Sequence, residues 1–272
     1  MFPGVNGFHW SPVHIIFLSA FGLVLSVLLV TLAVAFFRTL RDVRSGRAGA
    51  IAWHCDFEDL PRQERLCRHA FEGAAPGRLC DRGFDCRDCE THPKFATIET
   101  RWPVTLPAGL EYPETRLYHR GHTWVEPQPD GTALIGLDDL GARVFGAPEV
   151  VELPAPGTKL SVNGAAWRMM RNGASVSVRS PLEGEVIAHG APGGQWQLRV
   201  KPEAGERAFR HLLSGAEAHA WVNAETDRLM ILLSSTPTGA ALADGGALVA
   251  DLHQALPDAP WDEVSAAMFL NC

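Results

Sequence analysis

Twenty-three consecutive residues, Ile15 to Phe37 (IIFLSAFGLVLSVLLVTLAVAFF), contain no charge. At about 1.5 Å of rise per residue, such a run is long enough as a helix to cross a hydrocarbon core of about 30 Å. A cleaved signal peptide is the competing reading. Its basic region should precede the apolar run, whereas here Arg38, Arg41, Arg44 and Arg47 follow it and no A-x-A-like site appears. The sequence therefore predicts one membrane-spanning helix over 15–37. Residues 1–14 have no Lys or Arg, so the positive-inside rule places them outside and everything after 37 in the cytoplasm, as in a single-pass protein of a bacterial-type inner membrane. Gly22, Ser19, Ser26 and Thr31 are the small residues that a helix–helix contact would use, but a plain tether uses them as readily.

The remaining length suits one medium domain with attachments. An apolar fraction of 46% and a charged fraction of 20% describe a folded chain, and a net charge of −7 disfavours nucleic acid as a partner. Residues 38–95 read as a Cys-rich cytoplasmic linker. Within it Cys67, Cys80, Cys86 and Cys89 follow the spacing C-x12-C-x5-C-x2-C, with Cys55, His69 and His92 as further ligand types. A C-x2-C pair grips an ion from one turn and two more thiolates close a tetrahedron, which predicts a structural zinc knuckle. An iron–sulfur cluster is the alternative, although the spacing matches neither common ferredoxin pattern. Free or redox-active thiols are the third. Stable disulfides do not fit a cytoplasmic segment.

From Leu117 the pattern changes to short strands broken by Gly, Pro and Asp. YHRGHTWVE, DGTALIGLDDLGARVFG, VVELPAPGTKLSVNG and VRSPLEGEV follow one another in order, then QWQLRVKPE and AHAWVN. Over roughly residues 116–223 this succession resembles the glycine cleavage H-protein family. The resemblance implies a mostly β fold, the lipoyl-type barrel-sandwich hybrid or hammerhead, over 96–236. It also implies a hairpin whose tip lysine carries a lipoyl group. Counted back from Ser180-Pro181, that lysine position falls on Gly173 in WRMMRNGASVSVRS, and the acidic residue usual before it is missing. The three lysines, Lys94, Lys159 and Lys201, lie elsewhere. The loop IAHGAPGGQW is shorter than the family's. No lipoate is therefore expected.

Asn172-Gly173 is a strong two-residue turn signal. Trp167, Met169, Met170 and Asn172 read as an exposed contact face for another protein, or, for alternate positions, as core. His119 and His122 read as packing or hydrogen-bonding residues, Asp138 and Asp139 as a helix cap, and His211 and His219 as solvent-facing. The acidic segment 237–272 ends in a predicted amphipathic helix carrying Trp261, Val264, Met268 and Phe269 on one face, free to dock on its own domain or on a partner, Trp261 and Phe269 being counted with the contact surface. No nucleophile motif, phosphate loop or dinucleotide fingerprint occurs. The reading is a non-catalytic accessory subunit of a membrane complex of respiratory or redox type, with no small-molecule substrate. Its alternatives are an iron–sulfur electron carrier and a tethered partner of lipoyl-using enzymes.

Overall fold

The computed structural model describes residues 11–44, 59–95, 106–107, 109–172, 174–234 and 248–271. The chain divides into two units, Met1–Ala52 and Trp53–Cys272. In the first, helix α1 (Pro12–Arg44) opens with Ser11 ahead of a proline at the first helical position, where its missing N–H costs nothing. Its stretch Pro12–Phe37 is the one helix among the described residues long and apolar enough to cross a membrane, with a mean hydropathy of 2.7. The Ser26 hydroxyl donates to Gly22 O at 2.7 Å and that of Thr31 to Val27 O at 2.8 Å. Both groups are thus satisfied within the helix and demand no intramembrane partner.

The second unit begins with two one-turn helices, α2 (Arg68–Phe71) and α3 (His92–Phe95). Among the described residues nine strands follow: β1 (Leu117–His119), β2 (Thr123–Pro127), β3 (Ala133–Leu137), β4 (Val150–Glu152), β5 (Lys159–Leu160), β6 (Ala165–Arg171), β7 (Ala174–Arg179), β8 (Gly184–His189) and β9 (Leu198–Pro202). They form a six-stranded sheet in the order β1-β2-β3-β9-β8-β5 and a three-stranded sheet β4-β6-β7, with every pairing antiparallel. The Pro-Asp-Gly turn joins β2 to β3 as expected: Asp130 accepts from Thr132 N–H at 3.0 Å and Gly131 takes φ +79°. Period-2 alternation turns Val125, Ile135, Val186 and Val200 of the large sheet and Met169, Val176 and Val178 of the small one into the core.

Among the described residues, four α-helices and a 3-10 helix (Gly205–Phe209) complete the unit. Helix α4 (Asp139–Phe145) is capped by Asp138, whose carboxylate accepts from Gly141 N–H at 2.7 Å, and it stops at Gly146, φ +70°. Helix α5 (Gly215–Leu233) buries Ala218, Trp221, Val222, Glu225, Leu229 and Leu233, a stripe at helical spacing. Helices α6 (Leu252–Ala255) and α7 (Trp261–Met268) belong to the C-terminal segment.

Residues 59–95 differ from their reading as a linker, and the tail takes one of its two expected docking places, its own domain. Residues 59–95 are not a spacer. Arg68 forms a two-pronged pair with Glu217 of α5 and donates to Leu212 O at 3.1 Å. Arg120 donates to Glu64 O at 2.9 Å and to Leu66 O. Arg228 of α5 binds Glu64 at 3.0 Å and Arg87 binds Glu183 at 2.9 Å. The tail is equally committed. Trp261, Val264, Met268 and Phe269 are buried in the unit's own core, Arg171 pairs with Asp251 at 3.1 Å, and Asn271 exchanges two hydrogen bonds with the backbone of Ser177, at 3.2 and 2.9 Å. Those two bonds occupy the outer edge of β7, which would otherwise offer unpaired backbone groups.

Candidate functional site

The hairpin β6–β7 closes with Arg171 opposite Ala174, so its turn is the dipeptide 172–173. Asn172 takes φ 51°, the left-handed geometry of a type I′ turn; Gly173, the position matched to the carrier lysine, lies outside the described residues. Lys94 lies in α3, Lys159 in β5 facing Glu203 at 3.2 Å, and Lys201 in β9. None is on the hairpin. Arg171, the basic residue beside the tip, is held at 3.1 Å by both Phe145 O and Asp251.

The contact face expected at the hairpin is corrected by burial. Trp167 and Met169 are 3% and 1% exposed, because they point between the two sheets, and Trp261 and Phe269 are buried by the docking of α7. Met170 is half-buried, and Asn172 alone of that set is exposed. His211, expected in solvent, is also buried. Its Nε2 faces Pro181 O at 2.7 Å, while His219 is half-buried.

His119 and His122 are structural, as their residue context suggests. His119 Nδ1 accepts from Gly121 N–H at 3.1 Å, which leaves Nε2 to donate to Asn163 Oδ1 at 3.0 Å. Burial, helped by His211, lowers its pKa to about 3, so it stays neutral near pH 7. His122, in a left-handed turn at φ 58°, sits with Nδ1 3.1 Å from Asp138 and Nε2 3.9 Å from Glu225. Asp138 is also the α4 cap and Glu225 is bound by Arg228 at 2.7 Å. This network holds α5 to the β1–β2 turn.

A cavity of about 780 Å³ opens between the sheets, lined among others by Arg116, Trp124, Asp139, Glu149, Val151 and Gln195. Its lining contains no His, Cys, Ser, Thr or Lys. Arg116 lies 3.9 Å over the Trp124 ring and 3.3 Å from Glu126, and Asp139 is taken by Arg143 at 2.9 Å. The one hydroxyl among the described lining residues, that of Tyr118, donates to Pro113 O at 3.0 Å.

The four cysteines expected as ligands stand in one neighbourhood. An antiparallel bridge, Leu66 with Leu79, carries Cys67 and Cys80 on its flanks. Cys86 and Cys89 bracket a turn closed by Cys89 N–H to Cys86 O at 3.4 Å. All four are free of disulfides; Cys67 is buried and the others half-buried. Burial pushes the Cys67 thiol up and that of Cys86 to about 11. Cys55 lies outside the described residues. His69 and His92 stack on each other with nitrogens 2.9 Å apart, and burial pulls His69 down to about 4. Among the described residues, His69, Glu72 and Glu217 place ligand atoms within 4.8 Å of one another, the cysteines being a looser set. Both Glu217 oxygens, however, are already bound by Arg68.

Sequence reasoning missed Arg68, Arg120, Glu217, Glu225 and Arg228. The available signal was Arg120 itself, a full charge inside the apolar landmark YHRGHTW.

No protein-family model matches the chain. Among characterised sequences, a glycine cleavage system H protein from Methylococcus capsulatus is 30% identical over 110 residues, 36% of this chain and 82% of its own length. Another, from a Psychrobacter species, is 30% identical over 121 residues, 40% of this chain and 95% of its own. The crystal structure of a glycine cleavage system H protein from Mycobacterium marinum aligns with 41% of this chain and 98% of its own at 22% identity and a TM-score of 0.35.

Proposed function

The chain belongs to the glycine cleavage system H protein family, and we propose that within it this protein is a non-catalytic, membrane-tethered subunit whose H-protein-like domain is a contact surface for other proteins. The carrying observation is a complete hairpin, paired from Ala165–Arg179 to Arg171–Ala174, with no lysine on either strand or in the turn. A carrier needs a primary amine there to form the amide with lipoate; a contact surface needs only the shape. Helix α1 supplies the tether, and the arginines after it, Arg38, Arg41, Arg44 and Arg47, favour a cytoplasmic position for the domain and an outside N-terminus. The partners are other subunits of a membrane assembly of respiratory or redox type.

Extraction of the native protein in mild detergent tests this, with intact mass measured alongside the identity of stoichiometric co-migrating subunits. The expected result is an unmodified mass and recovery within a defined membrane assembly. A mass raised by one lipoyl group would refute the reading outright. Recovery with lipoyl-using enzymes alone would move the protein into their company instead.

A further inference from the structure

The bridge between Leu66 and Leu79 is flanked by Cys67 N–H to Arg78 O at 2.8 Å and Cys80 N–H to Arg65 O at 2.6 Å. Residue 67 is therefore opposite 78, and 80 opposite 65. Side chains alternate across such a pair, so 65, 67, 78 and 80 share one face. Cys67 and Cys80 are then diagonal same-face neighbours, with Cα atoms about 7–8 Å apart. Two thiolates on one tetrahedral ion lie about 3.8 Å apart, given a metal–sulfur bond of about 2.3 Å. One bond of side-chain reach from each cysteine closes that difference. The Cys86–Cys89 turn delivers the second pair, and Cys86 lies within electrostatic reach of both Cys67 and Cys80, as Cys89 does of Cys67.

Burial disfavours the free thiolates, so a bound cation is what would ionise these sulfurs, and donors stand beside two of them. The His69 amide N–H is directed at the Cys67 sulfur and the Arg68 side chain at that of Cys86. Arg120 is the sharper observation. Its guanidinium is buried, lies 3.9 Å over the Phe84 ring and, among the described residues, donates to the carbonyls of Glu64 and Leu66 alone. Its Nε has no partner, and among the described residues no carboxylate comes within ion-pair distance of it. Two acids lie in its field, Glu225 and Glu64, and Arg228 binds both. A buried cation without an ion-pair partner is costly, and after Glu225 and Arg228 the charges in its field are those of Cys80 and Cys67. Four thiolates around a divalent ion carry a net charge of about −2, which would supply the missing counter-charge. The segment also needs a staple. Apart from Phe71, which packs on the main core, its apolar cluster amounts to Leu60 and Phe84 with Leu270, and Cys80 against them.

We propose that Cys67, Cys80, Cys86 and Cys89 ligate one thiophilic metal centre and that Arg120, from the β1–β2 turn of the H-protein-like domain, is its buried counter-charge. The centre locks residues 59–95 onto that domain. Zinc and an iron–sulfur cluster share this ligand chemistry, and the experiment separates them.

The full-length protein, purified anaerobically in detergent without chelator, is assayed for zinc, iron and acid-labile sulfide and its visible spectrum is recorded. One zinc per chain, colourless and replaceable by cobalt with a thiolate charge-transfer band, supports the centre as a single structural ion. Iron with sulfide and a visible band supports it as a cluster. Either metal is expected to be lost in Cys80→Ser and Cys86→Ser and kept in Cys55→Ser. Should the serine variants not fold, titration of the wild-type thiols with a mercurial should release the metal in step with their modification. Arg120→Gln is expected to speed metal loss to a chelator about tenfold or more, with Arg120→Lys recovering part of the difference. A protein that arrives without metal and takes up neither zinc nor cobalt after reduction would overturn the proposal, as would metal retained by Cys80→Ser and Cys86→Ser together. Release unchanged in Arg120→Gln would remove the counter-charge from it.

Discussion

Replacing His119 with glutamine isolates one buried ionisable group from the rest of the acid response. The ring is 2% exposed, both nitrogens are used in neutral hydrogen bonds, and the ring centroid of His211 is 6.3 Å away. Burial and then that second histidine hold the folded pKa at about 3, against 6.5 for the free side chain. Between those values the unfolded chain binds a proton that the folded chain refuses, so stability rises with pH across the window. The contribution is complete above pH 6.5 and is lost as the pH falls towards 3. At about 1.4 kcal/mol per pH unit, the loss from this group is about 2 kcal/mol by pH 5 and at most about 5 kcal/mol by pH 3. Denaturant unfolding of the detergent-solubilised chain, followed by tryptophan fluorescence at pH 7.5 and pH 5, measures it. His69, His92, His211 and His253 are also held below their usual range, chiefly by burial. They steepen the decline in both proteins and cancel in the comparison. The His119→Gln protein should start less stable at pH 7.5 but lose about 2 kcal/mol less on going to pH 5. Parallel declines in the two proteins would show that His119 is protonated in the fold, and would sink the argument from burial.

Glu217→Gln leaves the buried Arg68 without its partner and should cost about 3–5 kcal/mol; proteolytic nicking within 59–95 should appear before any cut in the sheets. Gly136→Ala would place a Cβ 2.5 Å from both Gln195 O and the Trp124 ring, backbone and a packed aromatic that cannot yield, so the thermal midpoint should fall by the equivalent of about 1–3 kcal/mol. Asn271→Ala removes both bonds to Ser177 and should raise hydrogen exchange at the Ser177 amide selectively, at a cost of about 1–3 kcal/mol.

The parts of the fold that could be read from the sequence are those set by local chemistry. Pro-Asp-Gly before an apolar strand is a turn whatever surrounds it, Asp138 before DLGARVF is a cap, and an uncharged run of this length is a helix that water cannot solvate. Asn172 obeys the same logic. The contact face failed because period-2 alternation says that alternate side chains are buried without saying which set. Trp167 and Met169 took the inner face, with the register shift between Ala165 and Trp167 deciding the phase. The docking of 59–95 was invisible for a different reason. Its contacts join residues such as Arg68 and Glu217, 149 apart, or run from arginine to backbone carbonyls, and neither kind leaves a periodicity. In composition the segment looks like a polar linker, because its charges are used for docking.

Both additions to the H-protein-like domain attach to the same parts of it. Residues 59–95 bind α5 through Arg68 and Glu64, and the C-terminal segment binds α5 through Ala267 and Arg228, 2.5 Å apart, and β7 through Asn271. Arg228 touches both additions, so each helps position the other. Among the described residues, the opposite edge of the small sheet receives neither. All three residues of β4 are exposed, Val150 and Val151 at 47% and 40%, beside the mouth of the cavity. A sheet edge with two bare valines is a liability in an isolated protein, and the usual protections, charge inward or a covering helix, are used at β7 and not at β4. A subunit whose domain works as a contact surface would leave bare the edge its partner covers. In the proposed reading, β4 and the cavity rim are therefore the place to put charge: Val151→Lys should leave the solubilised protein as stable as before and weaken its recovery with the membrane assembly. Full recovery with that variant would move the contact elsewhere on the domain.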